Sequence, residues 1–331
     1  MKICVIGCGN HSSGVHGPSY QQYAERNDEA ELCACCDINP GAAGQYARSF
    51  GFRRAYTDYL EMLERESPDA VGIVLPVDVM QAFAEKVLSL GVSCIIEKPP
   101  APDVEGVMRL ADAASRSGSQ LRVAFNRRFM PVIRALREQL LRQAEPVQHI
   151  CYEMHRVGRF NEDFSTTAIH GIDLVGFLGD AYESAGITYQ RVGVPGQEAT
   201  NFLLDCVMRG GATARLSFLP AVGRNAENIA VHAGGRTYMA RLPLPWKERA
   251  FGGCLSVYEA GRLAKQITPA GMGEGSRLHE AGGFYYEIAS FLDELRETGM
   301  NTQGRIETAR QSVELAHAIR NGIETVFATT S

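Results

Sequence analysis

The chain has 331 residues, 45% hydrophobic and 21% charged, with a net charge of −5. That length allows two domains with a sizeable core, and the negative balance offers no basic field for nucleic acid. No apolar run approaches the ~20 residues that a membrane helix needs, so neither a nucleic-acid nor a membrane partner is expected. The N-terminus runs straight into Lys2-Ile3-Cys4-Val5-Ile6, without the long apolar stretch and small-residue cleavage site of a secretory leader, and a cytoplasmic protein is expected. The nine cysteines fit no zinc spacing, and Cys33-Ala34-Cys35-Cys36 is too tight for a structural site. They read as small buried thiols in a reducing compartment, and no metal site is expected.

Residues 2–7 read as a first strand, followed by Gly7-Cys8-Gly9-Asn10-His11-Ser12-Ser13-Gly14 and a helical stretch to about Arg26. A second strand, Glu31 to Cys36, ends in Asp37. A dinucleotide fingerprint needs glycines for a tight turn and close backbone approach. It also needs a helix N-terminus for the pyrophosphate and an acid at the end of the next strand for the ribose hydroxyls. Gly7, Gly9 and Asp37 meet those needs. Ser12 stands at the spacing of the third glycine and Gly14 lies two residues later, so a lengthened turn is expected. The plainer alternative is an ordinary βαβ unit with a glycine turn. No arginine follows Asp37 in Ile38-Asn39-Pro40 to pair a 2′-phosphate, which favours NAD over NADP; Arg53 and Arg54 are the nearby basic residues that could reverse this.

The alternation continues with helices over 42–50 and 58–66, and a fourth strand, Asp69 to Pro76. A helix over 78–90 follows, with Gly91 as its C-terminal cap. The apolar run Val92 to Ile96 then reads as a buried parallel strand ending in Glu97 and Lys98, and Pro99-Pro100 forbids further ladder pairing. The chain has five lysines against 28 arginines, so a lysine at this strand end stands out. It reads either as a strand-ending surface charge or as a ligand-site lysine at the edge where open α/β sheets bind ligands. A helix over 103–117 with Asp103 as N-cap and a sixth strand over 121–126 complete a doubly wound parallel sheet.

Beyond residue 125 the rhythm changes. Arg134 to Leu141 reads as a helix. Long alternating strands follow at Val147–Val157, Ala185–Val192, Asn201–Arg209, Thr213–Phe218, Asn228–Ala233, Thr237–Arg241 and Cys254–Glu259. One helix, Thr166 to Leu178, interrupts them, and two more, Gly283–Glu297 and Arg305–Thr325, close the chain. The expected class is α/β plus α+β. Residues 1–125 would form a Rossmann domain, and residues 126–331 an α+β substrate and oligomerisation domain on an open, mostly antiparallel sheet.

Four stretches together resemble the glucose–fructose oxidoreductase/inositol dehydrogenase (Gfo/Idh/MocA) family. They are Val5-Ile-Gly-Cys-Gly-Asn10, Glu97-Lys98-Pro99, Asn126-Arg-Arg-Phe-Met-Pro131, and Ile169-His170-Gly-Ile-Asp173. The resemblance spans almost the whole chain and implies an NAD(P)-dependent oxidoreductase. Such an enzyme passes a hydride between nicotinamide and a hydroxyl- or carbonyl-bearing carbon of a sugar, cyclitol or related molecule. It implies Lys98 at the reacting oxygen with His170 beside it in proton transfer, and Asp173 as a structural acid. Lys98, His170 and Thr166 are the catalytic candidates. Gly7, Gly9, Asn10, His11, Asp37, Leu75, Pro76, Glu97, Lys98 and Asn126 are the cofactor-binding ones. A homodimer or homotetramer through the open sheet is expected.

The chain departs from the family's pattern in two places. Thr166 stands where an aspartate precedes the histidine by four residues, with Asp163 as a nearby substitute. Leu75-Pro76-Val77 and Met80 replace a Thr-Pro-Asn and a following histidine. A hydroxyl cannot hold or relay a proton as a carboxylate does. These losses support an alternative reading, a protein that binds NAD without turning it over and acts as a sensor or partner-binding module.

Overall fold

The computed structural model describes residues 1–143, 145–160, 163–194, 196–244, 253–268, 277–297 and 306–327. Two compact units emerge, one of Met1–Asn126 with Gly283–Val313, the other of Arg127–Gly282 with Glu314–Ser331.

The first unit is built on β1 (Lys2–Ile6), β2 (Glu31–Cys36), β3 (Arg54–Tyr56), β4 (Ala70–Ile73), β5 (Ser93–Glu97) and β6 (Leu121–Ala124). They pair in parallel in the order β3-β2-β1-β4-β5-β6. Covered on both faces, the central strands read as unbroken apolar runs: Ile3, Cys4 and Val5 are fully buried, as are Cys94 and Ile96. Between the strands lie α1 (Gly17–Arg26), α2 (Pro40–Phe50), α3 (Tyr59–Glu66), α4 (Val77–Ser89) and α5 (Val104–Ser117). Asn39, Asp58 and Asp103 cap three of these helices through side-chain oxygens on first-turn N–H groups. β3 is a short, exposed edge strand with no periodic pattern, and residues 51–57 carry no predicted element.

The glycine-rich segment differs from expectation. The chain is already helical at Asn10, directly after Gly9, and the turn is not lengthened. The extra residue is taken up inside the helix, where Ser12–His16 forms a π-turn and Gly17 N–H donates to the Ser12 carbonyl five residues back.

The second unit carries α6 (Pro131–Leu141), β7 (Val147–His155), α7 (Ser165–Gly179), β8 (Tyr182–Val194), β9 (Gln197–Met208), β10 (Thr213–Leu219), β11 (Ala226–Ala233), β12 (Arg236–Arg241), β13 (Cys254–Glu259) and β14 (Arg262–Ile267). The chain then runs through α8 (Leu278–Ala281), α9 (Phe284–Glu297), α10 (Ile306–Asn321) and β15 (Thr325–Val326). The second sheet has the order β14-β13-β12-β11-β7-β10-β9-β8-β15 and is antiparallel except at β7–β10. Alternation puts one face inside. Ile150, Tyr152 and Met154 of β7, with Leu216 and Phe218 of β10, pack against Ile133 and Leu136 of α6 and Ala168 and Ile172 of α7. At Gly171 a Cβ would lie 2.1 Å from the Tyr152 ring, so only glycine lets α7 approach the sheet this closely. The last predicted helix ends at Asn321, not Thr325, because Thr325–Val326 pairs with β8; its expected start at Arg305 lies outside the described residues.

The expected second domain ran unbroken from 126 to 331, whereas α9 belongs to the compact unit of the first sheet. The reason is polar as well as apolar. Arg122 of β6, 1% exposed, reaches Ser290 Oγ at 3.1 Å and Glu294 Oε2 at 2.8 Å. Tyr23 of α1 donates to Asp293 Oδ1 at 2.7 Å, while Ile288, Phe291 and Leu292 join the first core. Among the described residues, no helix is long and apolar enough to cross a membrane.

Candidate functional site

The strand order of the first sheet reverses between β1 and β4, and ligands of open α/β sheets bind beyond the carboxyl ends at such a switch point. Most of the predicted cofactor residues follow those ends. Gly7 sits at φ +96°, where a Cβ would lie 2.1 Å from the Val74 carbonyl oxygen, so this turn requires glycine. At Gly9 a Cβ would meet nothing within 4 Å, and the backbone is open to approach. Asn10 and His11 are exposed at the start of the helix. Asp37 follows β2, with Oδ2 accepting the Cys8 N–H at 2.8 Å and Oδ1 the Asn39 N–H at 2.9 Å. A carboxylate oxygen has room for a second donor, so each retains capacity for a ribose hydroxyl. Leu75 lies against Gly7, and Pro76 is the exposed N-cap of α4. Met80, at the position of the family's histidine, is 1% exposed within the core.

β5 delivers Glu97 and Lys98 to the same edge. Lys98 is half-buried, and its peptide bond to Pro99 is cis. Glu97 is buried, and three groups fix its carboxylate. Oε2 accepts the Lys98 N–H at 3.1 Å, while Oε1 meets His11 Nε2 at 3.1 Å and His16 Nε2 at 2.8 Å. Burial opposes the charge, but the two imidazoles together outweigh it and hold the Glu97 carboxyl well below the usual carboxylate range. His16 is 3% exposed and was not among the predicted site residues. The sequence signal was a second histidine five positions after His11, which reads as the opposite side of an α-helix unless a π-turn is assumed. Asn126 is buried and opens a 3₁₀ turn, Asn126–Phe129, after β6.

His170 and Thr166 belong to α7 in the second unit, four residues apart and so on one face, and both are partly exposed. Thr166 Oγ1 donates to the Asp163 carbonyl at 2.9 Å. The Asp163 carboxylate accepts from Ser165 N–H and Oγ and pairs with Arg320. Asp173 is buried, and its carboxylate takes a two-pronged hydrogen bond from Arg128. Burial pushes its carboxyl up against the pull of that guanidinium. Deeper in the same unit Glu227 is bound by Arg127, Arg156 and the Tyr152 hydroxyl.

Comparison with known proteins agrees with this geometry. Residues 1–125 match the model of the Gfo/Idh/MocA oxidoreductase family, described by its NAD-binding Rossmann fold. Over 200 residues the chain is 28% identical to an inositol 2-dehydrogenase of Ralstonia nicotianae, which covers 58% of each protein. The chain thus matches only about 58% of the length of that curated relative. A Gfo/Idh/MocA family oxidoreductase from Vibrio cholerae has the same fold, with TM-score 0.79, 21% identity and 98% of both chains covered. So has an oxidoreductase from Agrobacterium radiobacter solved with NAD+, L-tartaric acid and magnesium, with TM-score 0.79, 18% identity and 98% of both chains covered. Residues 1–125, with their glycine turn, Asp37 and Glu97-Lys98-Pro99 edge, are thus similar to the NAD-binding Rossmann domain of the Gfo/Idh/MocA oxidoreductases, and the chain carries a fold that solved structures of that family share.

Proposed function

We propose that the chain is an NAD-dependent oxidoreductase that transfers a hydride between nicotinamide and a hydroxyl- or carbonyl-bearing carbon of a sugar, cyclitol or related small molecule. The observation that carries this reading is Lys98. It ends a buried strand at the switch-point edge that also holds Gly7 and Asp37, and its backbone N–H is fastened to the Glu97 carboxylate. The inositol 2-dehydrogenase relative supports the substrate class. Gly7 and Gly9 would admit the pyrophosphate and Asp37 the adenosine ribose. The nicotinamide, when bound, supplies the hydride acceptor or donor. Lys98 hydrogen-bonds the reacting oxygen, and a partly desolvated lysine exchanges a proton near neutrality. His170 is the second proton-transfer group. The test is NADH formation across a panel of cyclitols and hexoses, with Lys98→Ala as the matched variant. No turnover by the wild-type protein on any of them contradicts the substrate class.

The NAD preference rests on Asp37 and on the company of the two nearby arginines. Arg53 pairs with Glu31 and Arg54 with Glu66, and these carboxylate partners support the preference. Calorimetric titration should give tighter binding of NADH than of NADPH; equal or reversed affinities contradict the assignment. We also infer a homodimer or homotetramer through the uncovered face of the second sheet. Val207 and Met239, 40% and 50% exposed, are large apolar side chains on that sheet. A monomer by light scattering at micromolar concentration contradicts this. The nine free cysteines support a cytoplasmic location.

A second reading, an NAD-binding sensor without turnover, draws on one observation. Thr166 stands in place of a carboxylate and the adjacent Asp163 carboxylate is engaged by Ser165 and Arg320. Tight NAD binding with no turnover on any substrate would favour it.

A further inference from the structure

We propose that His11, His16 and Glu97 form a binding site for a divalent transition-metal ion of the zinc class, a function separate from hydride transfer. Three potential ligand atoms, one from each residue, lie within 4.8 Å of one another. Both imidazole Nε2 atoms converge on the same oxygen, Glu97 Oε1, at 3.1 and 2.8 Å. Ligands about 2.0–2.1 Å from a tetrahedral zinc ion stand roughly 3.3 Å apart, so Glu97 Oε1 needs to part from each Nε2 by only a few tenths of an ångström, while the two Nε2 atoms stand within 4.8 Å of each other. Two imidazoles and one carboxylate, with a fourth position open, suit zinc, cobalt(II) or iron(II); calcium and magnesium prefer all-oxygen sets.

The backbone is shaped to bring these groups together. Residues five apart on an α-helix point about 140° away from each other. The π-turn Ser12–His16 adds one residue to that turn and returns His16 to the side of His11, with ring centroids 5.3 Å apart. Such turns cost regular hydrogen bonding and recur at functional sites. The surroundings hold the ligands in place as well. Phe284 meets both imidazoles edge-on, at 5.8 Å each, and Glu97 Oε2 is anchored on the Lys98 N–H, which leaves Oε1 to face the imidazoles. The His11 side chain is 54% exposed and gives an entry path, while those of His16 and Glu97 are 3% and 9% exposed. A buried histidine pair on one carboxylate oxygen is a pair of hydrogen bonds when metal-free. An ion replaces both bonds when the two Nε2 lone pairs are free.

The test uses the full chain, stripped with chelator and titrated with zinc by calorimetry and with cobalt(II) by absorption spectroscopy. It needs neither substrate nor turnover, so its outcome is independent of the proposed oxidoreductase activity. The expected result is one ion per chain with a Kd on the order of 1 µM or tighter. His11→Ala, an exposed position where the fold should tolerate truncation, should weaken binding about tenfold or more. His16→Gln should do the same and should remove the visible cobalt bands. The absence of saturable binding at millimolar zinc overturns the proposal. So does unchanged affinity in His11→Ala, or a cobalt–thiolate charge-transfer band, which would place the ion on cysteines.

Discussion

Glu97 of the first compact unit and Glu227 of the second are both buried, and they are held in opposite chemical company. Glu227 of the second sheet is 1% exposed and lies between two guanidiniums and a phenol, Arg127, Arg156 and Tyr152, all buried themselves. Guanidiniums do not deprotonate in proteins and offer no lone pair, so this cluster can only bind and hold. Glu97 of the first sheet meets two imidazoles, one of them on an exposed side chain, and is one residue from Lys98. Imidazoles can lose their charge, change tautomer and ligate metal. The same buried carboxylate is thus a staple in one unit and part of a responsive site in the other, and the partners decide which.

Breaking the staple should have the largest effect. Glu227→Gln leaves two buried guanidiniums without their counter-charge, and the expected loss is about 3–5 kcal/mol of stability, read from denaturant unfolding. A loss within experimental error would mean that water or another group compensates. The pH dependence sharpens the same point. Burial opposes the charge of Glu227, but Arg127 and Arg156 hold its carboxyl down to about 2 in the folded protein. An unfolded glutamate titrates near ~4.3. Its contribution is therefore complete above that value and is lost as pH falls toward about 2. Wild-type stability should drop between those limits, with a flatter profile in Glu227→Gln; parallel profiles would assign the acid sensitivity elsewhere. Glu97→Gln should cost less, about 1–2 kcal/mol, because an amide oxygen still accepts hydrogen bonds from the imidazoles and no buried guanidinium is left without its counter-charge. A loss as large as that of Glu227→Gln would erase the distinction between the two clusters.

What the sequence made legible follows from range. The positive-φ glycine Gly7, Asp37, the Glu97-Lys98-Pro99 edge and the Asp103 cap are all set by short-range stereochemistry, and each stands where residue type and spacing put it, although the turn after Gly9 is not lengthened as expected. The clusters that distinguish the two units join residues 71 to 100 positions apart, such as Arg156 with Glu227, His16 with Glu97 and Arg127 with Glu227, and no local pattern announces them. The π-turn was hidden for another reason. An extra residue between Gly9 and the rest of the helix reads equally as a longer loop or as an altered hydrogen-bond register, and side-chain types do not separate the two. β14 escaped notice because Arg262–Ile267 has no buried alternation, being exposed at all but its last residue. The docking of α9 on the first sheet depends on Arg122, whose charge on a strand buried at every position argued for nothing until Ser290 and Glu294 were seen beside it.

The measurement that bears most directly on the central claim is the steady-state kinetics of Lys98→Ala beside wild type on the best substrate of the cyclitol and hexose panel, with NAD binding measured in parallel. Removal of one positioned acid–base group predicts a kcat lower by roughly 10²–10⁴-fold with NAD affinity nearly unchanged. Full activity in Lys98→Ala would make this lysine structural and would contradict the assignment of the first sheet's carboxyl edge as the reacting site.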